Sequence, residues 1–471
     1  MPIDEKPVDV STEFINGDVS FWYRSIGLPD FRPPLPGDRD ADVCIVGAGF
    51  TGLWTAYYLK QAQPDLRIVV LEREFAGFGA SGRNGGWLSA ELAGKREAYA
   101  ATHGHQSVVD LMRAMRGAVD EVIAVAKAEN IDADIAKDGL LHVARTRAQI
   151  NRLGEALRYE QDWGASPQDF AELSRDEMDD RIRVAGALGG LYSPHCARVQ
   201  PAKLVLGLAR VVEAMGVRIF EQTTVSRIEQ GKAVTDRGTV RAPIVLRCLE
   251  GFTASIQGQR RNWLPMNSSM VVTAPLPHEA IDQIGWRRAE LLGDYAHGYM
   301  YAQRTADNRI ALGGRGIPYR YGSRIDDRGA TQNWTVTALT ELMHDMFPAT
   351  RAVPIVHAWC GVLGVPRDWT ATVDLDRGTG LGTAGGYVGS GLTTTNLTGR
   401  TLADLVLERD SELTRLPWVG RHVRRWEPEP LRWLGVQAMY ALYRTADRRE
   451  TEKDLAGTSR IARFANMITG R

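Results

Sequence analysis

The chain has 471 residues, of which 44% are hydrophobic and 24% are charged, so it is long enough for more than one core and ordinary for a globular protein. Lys and Arg together number 57, as do Asp and Glu, and the zero formal net charge favours neither nucleic acid nor an anionic membrane as a partner. No apolar run approaches the roughly 20 residues that cross a bilayer, and the acidic N-terminus lacks the apolar core of a secretory signal.

The four cysteines are widely separated and form no C-x-x-C pair. This spacing argues against a disulfide framework and against a zinc site. We therefore expect no metal, and we expect a reducing, cytoplasmic environment.

The first motif is a glycine-rich turn between a buried strand and a helix. The apolar run at 43–46 predicts the strand, and the apolar spacing over 51–63 predicts the helix. The connection GAGFTG, residues 47–52, has the G-x-G-x-x-G spacing, whose glycines permit a tight turn, close approach to a pyrophosphate and close helix packing. A second apolar strand, RIVVLE, ends at Glu72, where an acid can accept hydrogen bonds from a ribose. This order of elements predicts a dinucleotide site with its phosphates at a helix N-terminus.

Two further glycine-rich segments carry a family resemblance. REFAGFGASGRNGGW, residues 73–87, has small residues that let the backbone lie flat against a large planar ligand. GTAGGYVGSGLTTTNLTGRTLADLVL, residues 382–407, is a glycine loop that enters a helix predicted to begin near Thr394. With these motifs the chain resembles the D-amino-acid oxidase-like superfamily of FAD-dependent oxidoreductases, which includes glycine and sarcosine oxidases, over roughly residues 35–410. The stretch SGRNGG is similar to the subgroup typified by gamma-glutamylputrescine oxidase.

The resemblance implies FAD as the cofactor. The segment at 73–87 is then expected along the flavin, and the N-terminus of the helix within 382–407 at the pyrimidine edge of the flavin. TTVSRIEQG, residues 223–231, is similar to the family strand that passes the adenine. VLRCLEGFTA, residues 245–254, is similar to a strand and turn that return to the cofactor, although Leu249-Glu250-Gly251 replaces the usual Ala-Thr-Gly. The cofactor-binding residues implied are Gly47, Ala48, Gly49, Phe50, Thr51, Gly52, Glu72, Arg73, Gly79, Ala80, Ser81, Arg83, Asn84, Gly85, Gly86, Trp87, Val225, Gly389, Gly391, Leu392, Thr393 and Thr394.

The split motifs imply an α/β fold with an α+β substrate part, in which an antiparallel-sheet substrate domain is inserted into a discontinuous Rossmann-like FAD-binding domain. Residues 108–185 look mainly helical, and short apolar strands occur within 256–355. The expected divisions are an N-terminal extension at 1–34, FAD-binding segments at 35–107, 186–255 and 356–410, substrate segments at 108–185 and 256–355, and a helical tail at 411–471. The tail helix is expected to pack on its own domain, the alternatives being a membrane surface or a dimer contact.

Few catalytic side chains are expected, because the flavin of such an oxidase carries the difficult step itself. Oxygen reduction benefits from a nearby cation, which in sarcosine oxidases is a lysine on the strand over the flavin. The comparable strand here makes Arg315 the candidate and Arg83 the second choice. Monomeric sarcosine oxidases attach their flavin through a cysteine in a comparable segment, so Cys360 is a candidate attachment site, the alternative being a buried free cysteine. His195 is expected to be structural.

The substrate is expected to be an amine larger than glycine. Thr393 stands where the sarcosine enzymes carry a carboxylate-binding lysine, which disfavours a sarcosine-like substrate. Aromatic residues instead predict walls for an apolar or extended amine, with Tyr299, Tyr301 and Trp359 as the substrate candidates and Trp87, Tyr319 and Trp369 as further aromatic residues near the predicted site.

The expected reaction is oxidation of a primary or secondary amine, or an amino-acid-like substrate, to an imine that hydrolyses, with O2 reduced to H2O2. Two alternatives stay open. One is an FAD-dependent dehydrogenase that passes electrons to a quinone or a carrier, and the other is a flavoprotein whose FAD is mainly structural.

Overall fold

The computed structural model describes residues 13–314, 319–325 and 328–469. The α-helices are α1 Phe21–Arg24, α2 Phe50–Ala62, α3 Arg96–Ala128, α4 Arg147–Asp162, α5 Arg175–Asp179, α6 Pro201–Ala214, α7 His278–Ile284, α8 Asn333–Met346, α9 Gly391–Val406, α10 Leu431–Glu452 and α11 Arg460–Thr469. The strands are β1 Ile15–Asn16, β2 Arg39–Asp40, β3 Val43–Val46, β4 Ile68–Leu71, β5 Trp87–Ser89, β6 Leu140–Ala144, β7 Ala171–Ser174, β8 Gly189–Ser193, β9 Cys196–Arg198, β10 Arg218–Phe220, β11 Val225–Glu229, β12 Lys232–Thr235, β13 Thr239–Arg241, β14 Ile244–Arg247, β15 Leu264–Thr273, β16 Leu291–Asp294, β17 Met300–Arg304, β18 Ile310–Gly314, β19 Ile355–Val365, β20 Thr372–Asp376 and β21 Leu381–Gly385.

A six-stranded sheet forms the dinucleotide-binding part and confirms the predicted α/β class. Its strand order is β10-β4-β3-β14-β21-β20, in which only β20 is antiparallel to its neighbour. Every residue of β3 and β4 is buried, as their continuous apolar sequences predict. Because the carboxyl ends of parallel strands meet at one edge of a sheet, the loops after β3, β4 and β14 lie close together.

Helices α2 and α9 pack against each other beside this sheet. A Cβ atom on Gly399 would lie 2.6 Å from the Cβ of Trp54, so glycine lets the two helices approach closely. Helix α2 begins one residue before the predicted start, at Phe50, and α9 begins at Gly391 rather than near Thr394. The earlier start of α9 brings its first turn up to the glycine-rich loop that precedes it.

A nine-stranded sheet, mostly antiparallel, forms the second layer, with the order β1-β19-β15-β18-β17-β16-β6-β8-β7. Residues 108–185 contribute helices α3, α4 and α5, and also strands β6 and β7, which the mainly helical prediction for this stretch missed. Strands β8 and β19 enter this sheet from segments expected in the FAD-binding part, and β1 enters it from the expected N-terminal extension. The division of the chain into domains stays a prediction.

The N-terminal segment packs beneath the segment at 73–87. The Ser20 hydroxyl donates a hydrogen bond to the carbonyl oxygen of Gly82 at 2.8 Å, and the Trp22 indole N–H donates to the carbonyl oxygen of Asn84 at 2.8 Å. Phe21, Trp22 and Tyr23 are all buried. Residues 20–23 therefore support the glycine-rich segment from behind.

The C-terminal helix α10 lies within the expected helical tail at 411–471. It packs through Val436 against Tyr319 and Trp426, and its last turns contact the loop at 295–298. Among the residues that the structure describes, no helix combines the length and the apolar character needed to cross a membrane.

Candidate functional site

A cavity of about 580 Å³ lies between the carboxyl edge of the six-stranded sheet and one face of the nine-stranded sheet. The loops after β3, β4 and β14 and the first turn of α9 form one wall. Ser268, Tyr301 and Gly361, from β15, β17 and β19, form part of the opposite wall. The cavity therefore joins the two parts of the fold, where ligand sites of α/β proteins commonly lie.

The first glycine motif is shaped for close backbone approach at one end of this cavity. Gly47 has a φ of 108°, and a Cβ there would lie 2.5 Å from the carbonyl oxygen of Cys248. A Cβ on Gly52 would lie 2.1 Å from the carbonyl oxygen of Gly47. Helix α2 begins after Gly49, which has no side chain to cap it, and the Phe50 N–H donates to the Ser81 hydroxyl at 2.9 Å. The remaining first-turn N–H groups and the positive end of the helix dipole are at the turn. This geometry suits a pyrophosphate.

Glu72 lies beside this turn, at the end of β4. Its carboxylate accepts hydrogen bonds from the backbone N–H of Ala48 and of Glu74, each at 3.0 Å. Burial raises the pKa of Glu72 above its usual value, against the lowering effect of these two donors. The carboxylate lines the cavity, where it can also accept hydrogen bonds from ribose hydroxyls.

The segment at 79–87 lines the middle of the cavity. Arg83 is 1% exposed, its Nε donates to the carbonyl oxygen of Phe78 at 2.7 Å, and its guanidinium lies 4.3 Å from the centre of the Phe78 ring. A Cβ on Gly85 would lie 2.9 Å from the Tyr301 ring, and the Gln303 amide donates to the carbonyl oxygen of Gly85 at 2.6 Å. Strand β17 therefore holds this segment against the cavity.

The second glycine loop brings another helix N-terminus to the same cavity. Gly391 and Leu392 line it, and Ser390 provides no side-chain cap for α9. The positive end of the helix dipole therefore faces the cavity, where it stabilises negative charge on a bound group.

Glu250 holds this second loop in place, and the sequence showed it only as a departure from the family pattern. Its carboxylate accepts hydrogen bonds from the N–H of Gly364 at 2.6 Å and of Tyr387 at 2.9 Å. Burial raises the pKa of Glu250 to about 7, although these amides, that of Gly386 and the Arg247 charge act to lower it.

Most predicted cofactor residues come together around the cavity. Those that line it are Gly47, Gly49, Phe50, Thr51, Glu72, Arg73, Gly79, Ala80, Ser81, Arg83, Asn84, Gly85, Trp87, Val225, Gly389, Gly391 and Leu392. The remaining predicted cofactor residues are described by the structure but do not line the cavity. They are Ala48, Gly52, Gly86, Thr393 and Thr394.

Of the predicted substrate residues, Tyr299 and Tyr301 line the cavity, and the Tyr301 hydroxyl lies 2.8 Å from the Ser268 hydroxyl. The prediction for Trp359 is wrong, because its ring is fully buried among residues of the N-terminal segment. Its indole N–H donates to the carbonyl oxygen of Arg83 at 2.9 Å, and its ring centre lies 5.8 Å from that of Trp22. Trp359 therefore supports the segment at 79–87 and forms no part of the cavity wall.

Cys360 does not line the cavity, although Gly361, Val362 and Leu363 after it do. Its buried sulfur approaches the carbonyl oxygen of Ala330 at 3.4 Å, which fits the alternative of a buried free cysteine. Arg315 lies outside the described residues.

His195 pairs with Asp169 at 2.6 Å, away from the cavity, which fits a structural residue. Tyr319 and Trp369 belong to the cluster around Trp426.

His297, Asp447 and Glu450 come close enough together to suggest a metal site. The Arg152 guanidinium already occupies this cluster, 2.7 Å from Glu450 and 3.2 Å from the His297 Nε2. Because that cation satisfies the carboxylate, we assign no metal ion here.

Together, the two helix N-termini at the cavity, the crowded glycines and Glu72 fit FAD, with room for its pyrophosphate and adenosine at one end and for its flavin ring beside 79–87 and 389–392. These features define a dinucleotide-binding protein of the flavoprotein type. The chain belongs to the DAO family, described as FAD dependent oxidoreductase, whose model matches residues 42–405. It is therefore an enzyme with FAD as its cofactor.

Similar proteins support this assignment. The probable oxidoreductase OrdL of Rhizobium meliloti (strain 1021) is 28% identical over 84% of this chain and 90% of that protein. The gamma-glutamylputrescine oxidoreductase of Escherichia coli (strain K12) is 28% identical over 80% of this chain and 86% of that protein. The crystal structure of glycine oxidase from Geobacillus kaustophilus matches with a TM-score of 0.66 at 21% identity, covering 82% of this chain and 100% of that chain, and supports the fold.

Proposed function

We propose that the protein oxidises a C–N bond of a primary or secondary amine, or of an amino-acid-like substrate, to an imine. The observation that carries this proposal is the continuation of the cavity beyond the glycine loops into a region walled by Trp87, Tyr299 and Tyr301. This region offers space for a second ligand beside the ring-binding segment. Relatives named for gamma-glutamylputrescine and glycine support an amine or amino-acid substrate.

When bound, FAD would supply the redox chemistry, because it can accept two electrons and one proton, the equivalent of a hydride, from a neutral amine. The iminium ion that remains loses a second proton to give the imine, which water hydrolyses. The chain's own residues then have the tasks of binding, orientation and exclusion of water. The Trp87 and Tyr301 rings, whose centres are 6.1 Å apart at an angle of 80°, form a corner for an aliphatic chain. The contact between the hydroxyls of Ser268 and Tyr301 fixes the Tyr301 ring.

Oxygen is the proposed electron acceptor, giving H2O2. Arg83 supports this part of the proposal, because the residue lines the cavity and its buried guanidinium would add positive potential that favours negative charge developing on oxygen. The α9 N-terminus adds positive potential from the other side.

Steady-state turnover tests this function. The purified holoprotein is supplied in air with a panel of primary and secondary amines, and oxygen consumption and H2O2 are followed together. The expected result is amine-dependent oxygen uptake with one H2O2 formed for each imine. Turnover that requires a quinone analogue would instead identify a dehydrogenase, and no turnover with either acceptor would reject amine oxidation.

A further inference from the structure

The cavity ends in a region that we call the distal chamber, lined by Trp87, Glu91, His142, Arg152, Asp294 and Tyr295. A series of rings connects it to the ring-binding segment. The Trp87 ring centre is 6.1 Å from that of Tyr301 and 6.5 Å from that of His142, which in turn is 5.1 Å from that of Tyr295. An extended ligand can therefore reach from Tyr301 into the chamber along aromatic surfaces.

Glu91 gives the distal chamber an accessible carboxylate. Its side chain is 45% exposed, and one oxygen lies 3.6 Å from the His142 Nε2, which is beyond hydrogen-bond distance. The other oxygen accepts a hydrogen bond from the Ser89 hydroxyl at 3.3 Å. Burial lowers the pKa of His142, although the charges of Glu91 and Glu160 act to raise it, so the imidazole is a weak counter-ion for Glu91.

The remaining charges of the chamber do not offset Glu91. Among the described residues that line it, Arg152 is the only cation, and it pairs with Glu450 at 2.7 Å while its Nε donates to the carbonyl oxygen of Tyr295 at 2.7 Å. Asp294 accepts hydrogen bonds from the backbone N–H of Ala296 and Met300. Burial raises the pKa of Asp294 to about 6, and these donors counter that rise. The chamber is therefore negative beside aromatic faces.

We propose that the distal chamber binds an ammonium group remote from the amine that is oxidised, with Glu91 as its counter-ion. The substrate class that fits is an aliphatic chain with an amine at the flavin end and a second cation at the other end. A carboxylate attracts an ammonium ion, and the faces of Trp87 and Tyr295 add cation–π attraction. A substrate with a carboxylate at the far end would meet repulsion from Glu91. This inference rests on the proposed function, because it names the substrate class of the same site.

A comparison of diamines with monoamines tests the chamber. Terminal alkyl diamines and alkyl monoamines of equal chain length are compared as substrates of the wild type, Glu91→Gln and Glu155→Gln. Glu155 lies exposed on α4 and outside the cavity, so it is the matched control. Loss of a charge-assisted contact of about 1.5–3 kcal/mol should raise the diamine KM about tenfold or more in Glu91→Gln. The diamine kcat and both monoamine constants should change little, and Glu155→Gln should match the wild type.

A binding measurement separates this inference from the proposed function. An alkane with a quaternary ammonium group at each end cannot form an imine, and calorimetry gives its Kd for the holoprotein without any turnover. The expected result is weaker binding to Glu91→Gln than to the wild type or Glu155→Gln, with equal FAD content in all three. Equal Kd values in the three proteins would overturn the distal ammonium site even if amines are oxidised. Absence of turnover with every amine would overturn the proposed function, while the Kd values would still decide the chamber.

Discussion

Glu250 accepts a hydrogen bond from the backbone N–H of Tyr387 at 2.9 Å and thereby ties the turn after β14 to the glycine loop before α9. The same carboxylate accepts from Gly364 at the end of β19, so three separate parts of the chain meet at one side chain. Tyr387 and Glu250 both line the cavity. Glu250 is therefore a positioning residue for the ring-binding loop.

Substitution Glu250→Gln should weaken FAD binding. The glutamine amide offers one carbonyl oxygen, so its NH2 group would face one of the two backbone N–H groups that donate to the carboxylate. An unsatisfied donor of this kind costs about 1–3 kcal/mol, so the Kd for FAD should rise about fivefold to a hundredfold. Quenching of flavin fluorescence on titration of apoprotein measures this change. Glu155→Gln is the control, and an unchanged Kd in Glu250→Gln would show that the loop holds its shape without the carboxylate.

The stability of the apoprotein should depend on the ionisation of Glu250. Its pKa is about 7 in the folded protein against an ordinary value of 4.5, so the folded state binds the proton more tightly than the unfolded state. The contribution of Glu250 to the free energy of unfolding is therefore greatest below pH 4.5, and it falls as the pH rises from 4.5 to about 7. Denaturant unfolding measures the free energy of unfolding of the wild type and of Glu250→Gln. The difference between the two values should change from pH 4.5 to about 7 and stay constant above about 7. A difference that does not vary with pH would contradict the assignment.

Gly52→Ala should abolish FAD binding, because the added Cβ would lie 2.1 Å from the carbonyl oxygen of Gly47. Helix α2 would have to move away from the turn that receives the phosphates. Gly117→Ala in α3 is the matched control, since its Cβ would contact nothing within 4 Å. The control should bind FAD normally and gain up to about 1 kcal/mol from helix propensity. Flavin content after purification measures the outcome, and full FAD occupancy in Gly52→Ala would contradict the placement of the phosphates.

Asp447→Ala should impair substrate binding more than cofactor binding. Asp447, on α10, accepts the backbone N–H of His297 at 2.8 Å and of Gly298 at 2.9 Å. These residues belong to the loop that carries Tyr295 and Tyr299 to the cavity. Without the two hydrogen bonds this loop would be held less firmly, and a loss of about 1.4 kcal/mol of substrate binding would raise the amine KM about tenfold.

Glu452→Ala is the control for this substitution, because Glu452 is exposed on the same helix. It should retain the wild-type KM, and FAD content should be unchanged in both variants. A loss of FAD with no change in KM would show that α10 supports the cofactor site instead of the substrate loop.

Local sequence determined how much of the site could be predicted. Gly47, Gly52 and Glu72 belong to one short strand–turn–helix–strand unit, in which spacing alone fixes the geometry. Glu250, Glu91 and Asp447 act across long sequence separations, and no periodicity marks such contacts. Sequence therefore identified the cofactor end of the cavity and missed the side chains that hold its loops and line its far end.

The positions of Trp359 and Cys360 could not be predicted from the local sequence. Both stand in β19, of which Gly361, Val362 and Leu363 line the cavity. Phe21 and Trp22 of the N-terminal segment cover the Trp359 ring, and the Cys360 sulfur lies against the carbonyl oxygen of Ala330. Contacts with distant parts of the chain decide both positions, and such contacts cannot be read from the strand itself.

Anaerobic mixing of the FAD-loaded protein with an amine tests amine oxidation at the flavin without any electron acceptor. Absorbance of the oxidised flavin is followed after addition of a terminal alkyl diamine, with a buffer addition as the reference. We expect the amine to bleach the long-wavelength flavin band within the time of catalytic turnover. We also expect the band to return when air is admitted. A flavin that stays oxidised with every primary and secondary amine, yet is reduced by dithionite, would contradict amine oxidation by this protein.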